Sequence, residues 1–257
     1  MGKRLRALLG LMLVSVGFCG VVLGFAGASL PPHTTQDVPA GVSAEPTQDA
    51  DFAQAVFRPT VILDAGHGGE DGGAVSATGA AEKTLNLSIT LALGDMLRAN
   101  GIEVIYTRTD DNGLYDGAEP GHRKMADLKN RLAVHQAHPD ALFLSIHMNT
   151  FSDPRYDGMQ FFYSKHHPSS AALAEMLRQA NCTHLQPDNT RACKAADSTI
   201  YLLDRAEGTS VLAECGFLSN PEEASALMTP EYREQVAAVL CVGILDYLYH
   251  IKESPVQ

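Results

Sequence analysis

Three residues have the side chains that a catalytic metal site requires: His67, Glu82 and His147. Two imidazoles and one carboxylate fill three corners of a tetrahedral zinc site and leave the fourth for water. This arrangement is typical of catalytic zinc, because a structural site ordinarily uses four protein ligands, often cysteines. Zinc bound in this way lowers the pKa of its water to about 7 and polarises an amide carbonyl. The three residues together favour a zinc-dependent hydrolase.

Each of the three residues also has a simpler explanation when it is considered alone. A loop histidine such as His67 is usually solvated or hydrogen-bonded. Glu82 begins a predicted helix, where an acid interacts favourably with the helix N-terminus whether or not it binds a metal. His147 follows an apolar strand, and a core histidine with satisfied hydrogen bonds is an ordinary alternative. The hypothesis therefore depends on the three residues lying together.

Glu214 is the candidate general base, because it follows an apolar run that predicts a strand. A carboxylate at a strand end beside an apolar wall has suitable surroundings for proton transfer. The alternative is a buried acid that is held by a backbone amide or an arginine. Arg108 is a candidate partner for a carboxylate, most simply in a structural ion pair.

The apolar pattern places these residues on alternating strands and helices. Short apolar runs predict strands over residues 60–63, 102–107, 141–146, 159–163 and 210–213. Helical spacing and capping residues predict helices over residues 82–99, 128–138, 171–180, from 221 onward and 230–249. The alternation predicts one α/β domain with a mostly parallel or mixed central sheet flanked by helices. Open sheets of this kind place their sites at the carboxyl ends of strands.

The first part of the chain is predicted to lie outside this domain. Within residues 1–30, a basic N-terminus precedes an unbroken apolar stretch, which is typical of either a membrane anchor or a cleaved export signal. Residues 31–54 are rich in Pro, Thr, Ala, Gln and Asp and are interpreted as a flexible linker. Residues 55–252 form the predicted catalytic domain, which the positive-inside rule places outside the cytoplasm.

The composition limits the classes of ligand. A formal net charge of −11 argues against nucleic acid, since phosphate-binding surfaces need an excess of Lys and Arg. No pair of cysteines has CxxC spacing, so a structural zinc knuckle is unsupported. Cys182 and Cys193 could close a short loop in an oxidising compartment, and burial as unpaired side chains is the alternative.

Four segments, taken in order, carry a resemblance to a known family. They are Leu63-Asp64-Ala65-Gly66-His67-Gly68-Gly69 with Asp71 and Gly72, Glu82-Lys83 with Asn86-Leu87, Ser145-Ile146-His147 with Asn149, and Glu214 with Gly216-Phe217-Leu218-Ser219-Asn220. The chain resembles the type-3 zinc-dependent N-acetylmuramoyl-L-alanine amidases over residues 60–249. The resemblance implies that His67, Glu82 and His147 bind Zn²⁺ and that Glu214 is the catalytic carboxylate. Glu70 is the alternative third ligand, although the family pattern favours Glu82.

The family resemblance implies an activity on peptidoglycan. Its members hydrolyse the amide between N-acetylmuramic acid and the L-alanine of the peptide stem. The membrane leader and the segment Tyr201-Leu202-Leu203 are similar to those of amidases that act on spore cortex. If activity is controlled, an activator protein is one means. The longer segment 110–127 is interpreted as a lid or substrate-reading loop, in which His122 could touch the substrate.

Two other functions are compatible with the same residues. A zinc hydrolase acting on another peptidoglycan amide would use the same metal site, and only the substrate groove would differ. A catalytically silent wall-binding module would keep the fold for recognition, and its mark would be a missing ligand or base. All four positions are filled in this sequence, which favours the enzyme.

Overall fold

The computed structural model describes residues 59–253. The predicted leader and linker, residues 1–54, lie outside the described residues, and the domain boundaries stay predictions. Within residues 59–253, no helix combines the length and the apolar composition needed to cross a bilayer.

In the described part of the chain, a six-stranded mixed sheet forms the centre of the fold. Its strands are β1 (Thr60–Ala65), β2 (Glu103–Tyr106), β3 (Leu142–Asn149), β4 (Gln160–Tyr163), β5 (Lys194–Ala195) and β6 (Ser210–Phe217). The spatial order is β2-β1-β3-β6-β4-β5. The first four strands in this order are parallel, β4 is antiparallel to β6, and β5 is parallel to β4. The predicted α/β fold with a mixed sheet is confirmed.

Helices cover both faces of the sheet. Those within residues 59–253 are α1 (Glu82–Ala99), α2 (Arg123–Gln136), α3 (Ser169–His184), α4 (Tyr201–Arg205), α5 (Pro221–Leu227) and α6 (Pro230–Glu253), with a short 3₁₀ turn at Pro120–His122. α1, α3 and α6 pack on one face, and α2 and α4 pack on the other. Because side chains alternate along a strand, Val61 and Leu63 enter the first core and Ile62 enters the second.

The two strands that carry His147 and Glu214 extend further than the apolar pattern predicts. β3 continues to Asn149 and β6 continues to Phe217, whereas the predicted strands end just before His147 and Glu214. These two polar residues are partners in adjacent strands, so the backbone pairing runs on past the apolar run. Both residues therefore lie inside strands rather than at strand ends.

The helix starts differ in how well local sequence predicts them. The predicted N-cap of α5 is confirmed, because the Asn220 side chain accepts hydrogen bonds from two backbone amides of the first turn. In contrast, α2 begins at Arg123, five residues earlier than predicted. Its first turns are held by ion pairs from Arg123 to Glu70 and from Arg131 to Asp127. The first ion pair joins segments far apart in the chain, and the second lies within the helix. Neither produces the apolar periodicity from which a helix start is predicted.

A buried ion pair joins α2 to the sheet. Arg131 Nη1 lies 2.5 Å from Asp64 Oδ1, and the two residues are 1% and 0% exposed. The Asp64 carboxylate also accepts hydrogen bonds from Thr107 at 2.7 Å and Ser145 at 2.6 Å. Burial disfavours the charged carboxylate, but Arg131 and the two hydroxyls outweigh it and lower the pKa of Asp64. One carboxylate therefore links α2, β1, β3 and the segment after β2.

We expect Arg131→Met to lower the free energy of unfolding by about 3–5 kcal/mol, because the substitution leaves a buried carboxylate without its cation. Urea denaturation of the variant and the wild type measures the difference. Lys129→Met is the matched control, since Lys129 is exposed on the same helix, and we expect it to change stability by less than about 0.5 kcal/mol. Equal stability of Arg131→Met and the control would contradict the role of the ion pair.

Candidate active site

The loop after β1 holds His67 in a left-handed backbone conformation, with φ at +62°. Such a conformation costs a non-glycine residue about 1–3 kcal/mol, so surrounding contacts must hold it. Arg131 Nη2 donates to the His67 carbonyl oxygen at 2.5 Å, and a carboxylate oxygen of Asp71 lies 3.0 Å from His67 Nδ1. The loop therefore fixes both the backbone and the imidazole ring.

Glu82, the first residue of α1, lies between the two histidines and is only 3% exposed. Its Oε2 atom is 3.2 Å from His67 Nε2, and its Oε1 atom is 3.0 Å from His147 Nδ1. The backbone amides of Ala74 and Met148 donate to the same two oxygens at 2.8 and 3.0 Å. One carboxylate thus joins the loop after β1, the start of α1 and the strand β3.

The donor atoms of this group suit zinc. Ligand atoms of His67, Glu82 and His147 lie within 4.8 Å of one another. Zinc binds imidazole nitrogen and carboxylate oxygen at about 2.0–2.2 Å, so ligands at tetrahedral angles stand about 3.3 Å apart. Small side-chain movements bring the three atoms to that spacing. The second nitrogen of His67 contacts Asp71, which is the usual partner of a metal-binding histidine.

The charges in the site stabilise one another. Burial disfavours the charged form of Glu82, but hydrogen bonds and charge interactions with both histidines outweigh it and lower the pKa of Glu82. Burial likewise opposes protonation of His67, but the carboxylates of Glu82 and Asp71 outweigh it and raise the pKa of that imidazole. The lowered pKa favours the ionised form of Glu82, which is the form that can bind a metal ion.

Glu214 has different surroundings from Glu82. It is the register partner of His147 on the adjacent strand, so the two side chains lie on the same face of the sheet. Its Oε2 atom is buried and, among the described residues, has no hydrogen-bond partner. Burial raises the pKa of Glu214 to about 7, against the opposing effect of His147. A carboxyl group with this pKa can both accept and return a proton near neutral pH.

Comparison with known proteins agrees with the geometry. A family model described as N-acetylmuramoyl-L-alanine amidase matches residues 61–246, which is most of the chain and includes all four site residues. The chain belongs to this family. The amidase is 34% identical to the germination-specific N-acetylmuramoyl-L-alanine amidase of Bacillus subtilis (strain 168) over 197 residues, or 76% of this chain and 82% of the relative. The predicted resemblance is confirmed, and the enzyme is a peptidoglycan amidase.

Solved structures of amidases share the fold. The CwlD amidase from Clostridioides difficile, determined in complex with the GerS lipoprotein, is 38% identical with a TM-score of 0.72, over 75% of this chain and 100% of that one. AmiC2 of Nostoc punctiforme is 29% identical with a TM-score of 0.64, over 74% of this chain and 97% of that one. The described domain of this amidase therefore corresponds to nearly the whole of each of these structures.

The prediction that Arg108 pairs with a carboxylate is wrong. Its guanidinium donates to four backbone carbonyl oxygens, at 2.8 to 2.9 Å, which belong to Ala65, Gly66, Lys83 and Asp110. The nearby carboxylate of Asp64 is taken by Arg131 instead. Sequence spacing cannot distinguish the two arginines, because both reach the end of β1 from distant positions.

The alternative ligand Glu70 lies apart from the group formed by the two histidines and Glu82. Its carboxylate pairs with Arg123 and is 67% exposed, and its backbone amide donates to the Tyr115 hydroxyl at 2.9 Å.

His122, in the segment 110–127, is exposed at the end of the 3₁₀ turn. The segment 110–127 is tied to the site loop through Tyr115 and through Lys83, whose Nζ lies 2.7 Å from Asp111. The role of the segment 110–127 as a lid or substrate-reading loop stays a prediction.

The four cysteines within residues 59–253 are free. The Cys182 thiol donates to the Asn189 carbonyl oxygen at 3.2 Å, and the Cys193 thiol donates to Glu175 at 3.8 Å. Burial raises the pKa of Cys193 to about 12. The structure therefore agrees with unpaired, partly buried thiols rather than with a disulfide.

Gly66 is a site residue whose purpose sequence reasoning missed. A Cβ atom at this position would overlap the His147 imidazole, so only glycine lets the ring lie against the loop after β1. Gly72, in the same loop, has open space around the equivalent position. The two glycines look alike in the sequence and differ only in what the fold brings against them.

We expect Gly66→Ala to lower zinc affinity at least about ten-fold, as happens when a supporting contact of a zinc ligand is lost. The added methyl group displaces the His147 ring, while circular dichroism should show an unchanged fold. Competition with a chromophoric chelator measures the affinity, and Gly72→Ala serves as the control with wild-type affinity. Wild-type affinity in Gly66→Ala would show that the His147 ring need not lie where the structure places it.

Proposed function

We propose that this amidase hydrolyses the muramoyl-L-alanine amide with a zinc ion held by His67, Glu82 and His147, and with Glu214 as the general base. One observation carries the proposal. The ligand atoms of two histidines and a carboxylate converge within 4.8 Å, and on the same face of the sheet the neighbouring strand carries a carboxyl group whose pKa is raised to about 7.

The chain's own residues can supply the proton transfers of the reaction. When bound, zinc would supply a Lewis acid that polarises the amide carbonyl and acidifies water. Glu214 accepts a proton from the attacking water as the new carbon–oxygen bond forms. Glu214 then returns that proton to the amide nitrogen as the carbon–nitrogen bond breaks, so that L-alanine leaves as a neutral amine. Its buried Oε2 has no competing partner among the described residues.

The supporting residues keep the ligands in place during this reaction. Asp71 orients the His67 ring through Nδ1, which leaves Nε2 for the metal. Arg108 and Arg131 hold the backbone of the loop through the carbonyl groups of residues 65–67. We infer that these residues act on the position of the ligands and not on the substrate.

We also propose where the enzyme acts. A relative from Bacillus subtilis is named as germination-specific, and a related amidase structure contains a lipoprotein partner. These similarities support spore peptidoglycan as the substrate and a lipoprotein as an activator. The apolar N-terminal stretch supports export and either anchoring or cleavage. Digestion of purified spore and vegetative peptidoglycan, compared side by side, tests the substrate, and equal rates would remove the spore assignment.

The residue roles are tested with Glu214→Gln in the full chain. We expect the variant to retain one zinc ion per chain and to lose about 10²–10⁴-fold in the rate of muramoyl amide hydrolysis, because proton transfer contributes that much. Zinc content is measured by elemental analysis, and hydrolysis by the appearance of L-alanine amino groups from peptidoglycan.

Two carboxamide variants serve as controls. Glu82→Gln should lose zinc, whereas Glu70→Gln should keep both zinc and activity, because Glu70 pairs with Arg123 outside the cluster. A Glu214→Gln variant with wild-type activity would contradict the assignment of Glu214 as the general base. A wild-type enzyme that binds zinc but cleaves a different peptidoglycan amide would contradict the proposed substrate.

A further inference from the structure

A polar cleft of about 600 Å³ opens on the β4–β5 side of the sheet. Its lining includes Gln160, Gln186, Asn189, Arg191 and Lys194. It is separate from the smaller cavity that contains the two histidines. The zinc ligands, the general base and the residues that support them do not include any of these cleft residues.

The cleft begins one strand away from Glu214. Gln160 of β4 is the register partner of Glu214 on β6, which is in turn the register partner of His147 on β3. The three side chains form a row on one face of the sheet, and neighbouring strands lie about 4.8 Å apart. A substrate bond placed between His147 and Glu214 therefore has the cleft directly beside it.

Arg191 is fixed at the wall of this cleft. Its Nε atom donates to the Asp157 carbonyl oxygen at 2.6 Å. Its guanidinium lies 4.6 Å from the centre of the Phe217 ring and 5.4 Å from that of Tyr156. Within residues 59–253, its terminal nitrogens form no ion pair. A planar guanidinium held by stacking and by one nitrogen presents its other nitrogens to a carboxylate.

The charges around the cleft are of both signs. Lys194 adds a second cation, whereas Asp157, Asp188 and Glu223 add acids. The Glu223 carboxylate is occupied by the backbone amides of Gly158 and Phe217, at 3.0 and 2.8 Å. The side-chain amides of Gln160, Gln186 and Asn189 are hydrogen-bonded within the protein, so two cations and two acids remain. This combination fits a short peptide that carries both carboxylates and an amine.

We propose that this cleft binds the peptide stem and that Arg191 recognises one of its free carboxylates; the inference rests on the amidase reaction proposed above. Phe217 pairs with Asn149, two residues beyond the His147 that pairs with Glu214, because β6 contains a bulge between the two pairs. Phe217 therefore lies roughly 7 Å beyond Glu214 along the sheet. An extended peptide advances about 3.3–3.6 Å per residue. Arg191 therefore stands beside the second or third residue of the stem, counted from the L-alanine.

Binding of a free stem peptide tests the cleft independently of catalysis. The full chain is titrated calorimetrically with the tripeptide L-alanyl-γ-D-glutamyl-L-lysine and with the same peptide after its carboxylates are converted to amides. We expect the wild type to bind the carboxylate form more tightly, by on the order of ten-fold. In Arg191→Gln this preference should disappear. Arg191→Lys should keep part of it, because the charge remains but the planar stacking on Phe217 is lost.

Arg155→Gln is the matched control. Arg155 is an exposed arginine that pairs with Asp153 and does not line the cleft, so its loss should leave the preference at the wild-type value. A wild type that binds both peptides equally, or an Arg191→Gln variant that keeps the preference, would overturn the assignment. Either result would leave the amidase reaction standing, because hydrolysis of peptidoglycan is measured separately. Conversely, a wild type that prefers the carboxylate peptide but releases no L-alanine amino groups from peptidoglycan would support the assignment of the cleft and contradict the proposed reaction.

Discussion

The buried contact between Asp64 and Arg131 is the interaction on which the site depends. Burying two charges is costly, and the cost is offset only when the geometry is good and the remaining hydrogen-bonding groups are satisfied. Here the carboxylate has three donors, and the guanidinium also reaches the carbonyl oxygens of Ala65 and His67. The ion pair thus holds the end of β1 and the strained backbone of His67 in the same place.

Two carboxylates near each other have opposite properties in this site. Glu82 accepts hydrogen bonds from two backbone amides and contacts two imidazoles, and the contacts with the imidazoles lower its pKa. Glu214 is buried with an unpartnered oxygen among the described residues, and its pKa is raised. Environments that separate the pKa values of neighbouring acids commonly separate their roles as well. The first is suited to hold a cation, and the second is suited to move a proton.

The sheet connects the reactive groups to the surface that surrounds them. Parallel pairing of β3 with β6 sets His147 beside Glu214, and antiparallel pairing of β6 with β4 adds Gln160 to the row. The row leads from the histidines to the polar cleft without a change of face. A shift of one residue in either pairing would turn one of these side chains to the opposite face of the sheet, into the core under α1, α3 and α6. The strand register is therefore part of the active-site geometry.

The sequence by itself determined the residue types of the site, the alternation of strands and helices, and the local cap at Asn220. These follow from side-chain chemistry and from short-range periodicity, which a single segment contains. The tertiary structure decided that Arg131 rather than Arg108 pairs with Asp64, that Gly66 and not Gly72 must lack a Cβ atom, and that β3 and β6 run on through His147 and Glu214. Each of these depends on contacts between segments far apart in the chain, and the spacing of residues within one segment carries no record of them.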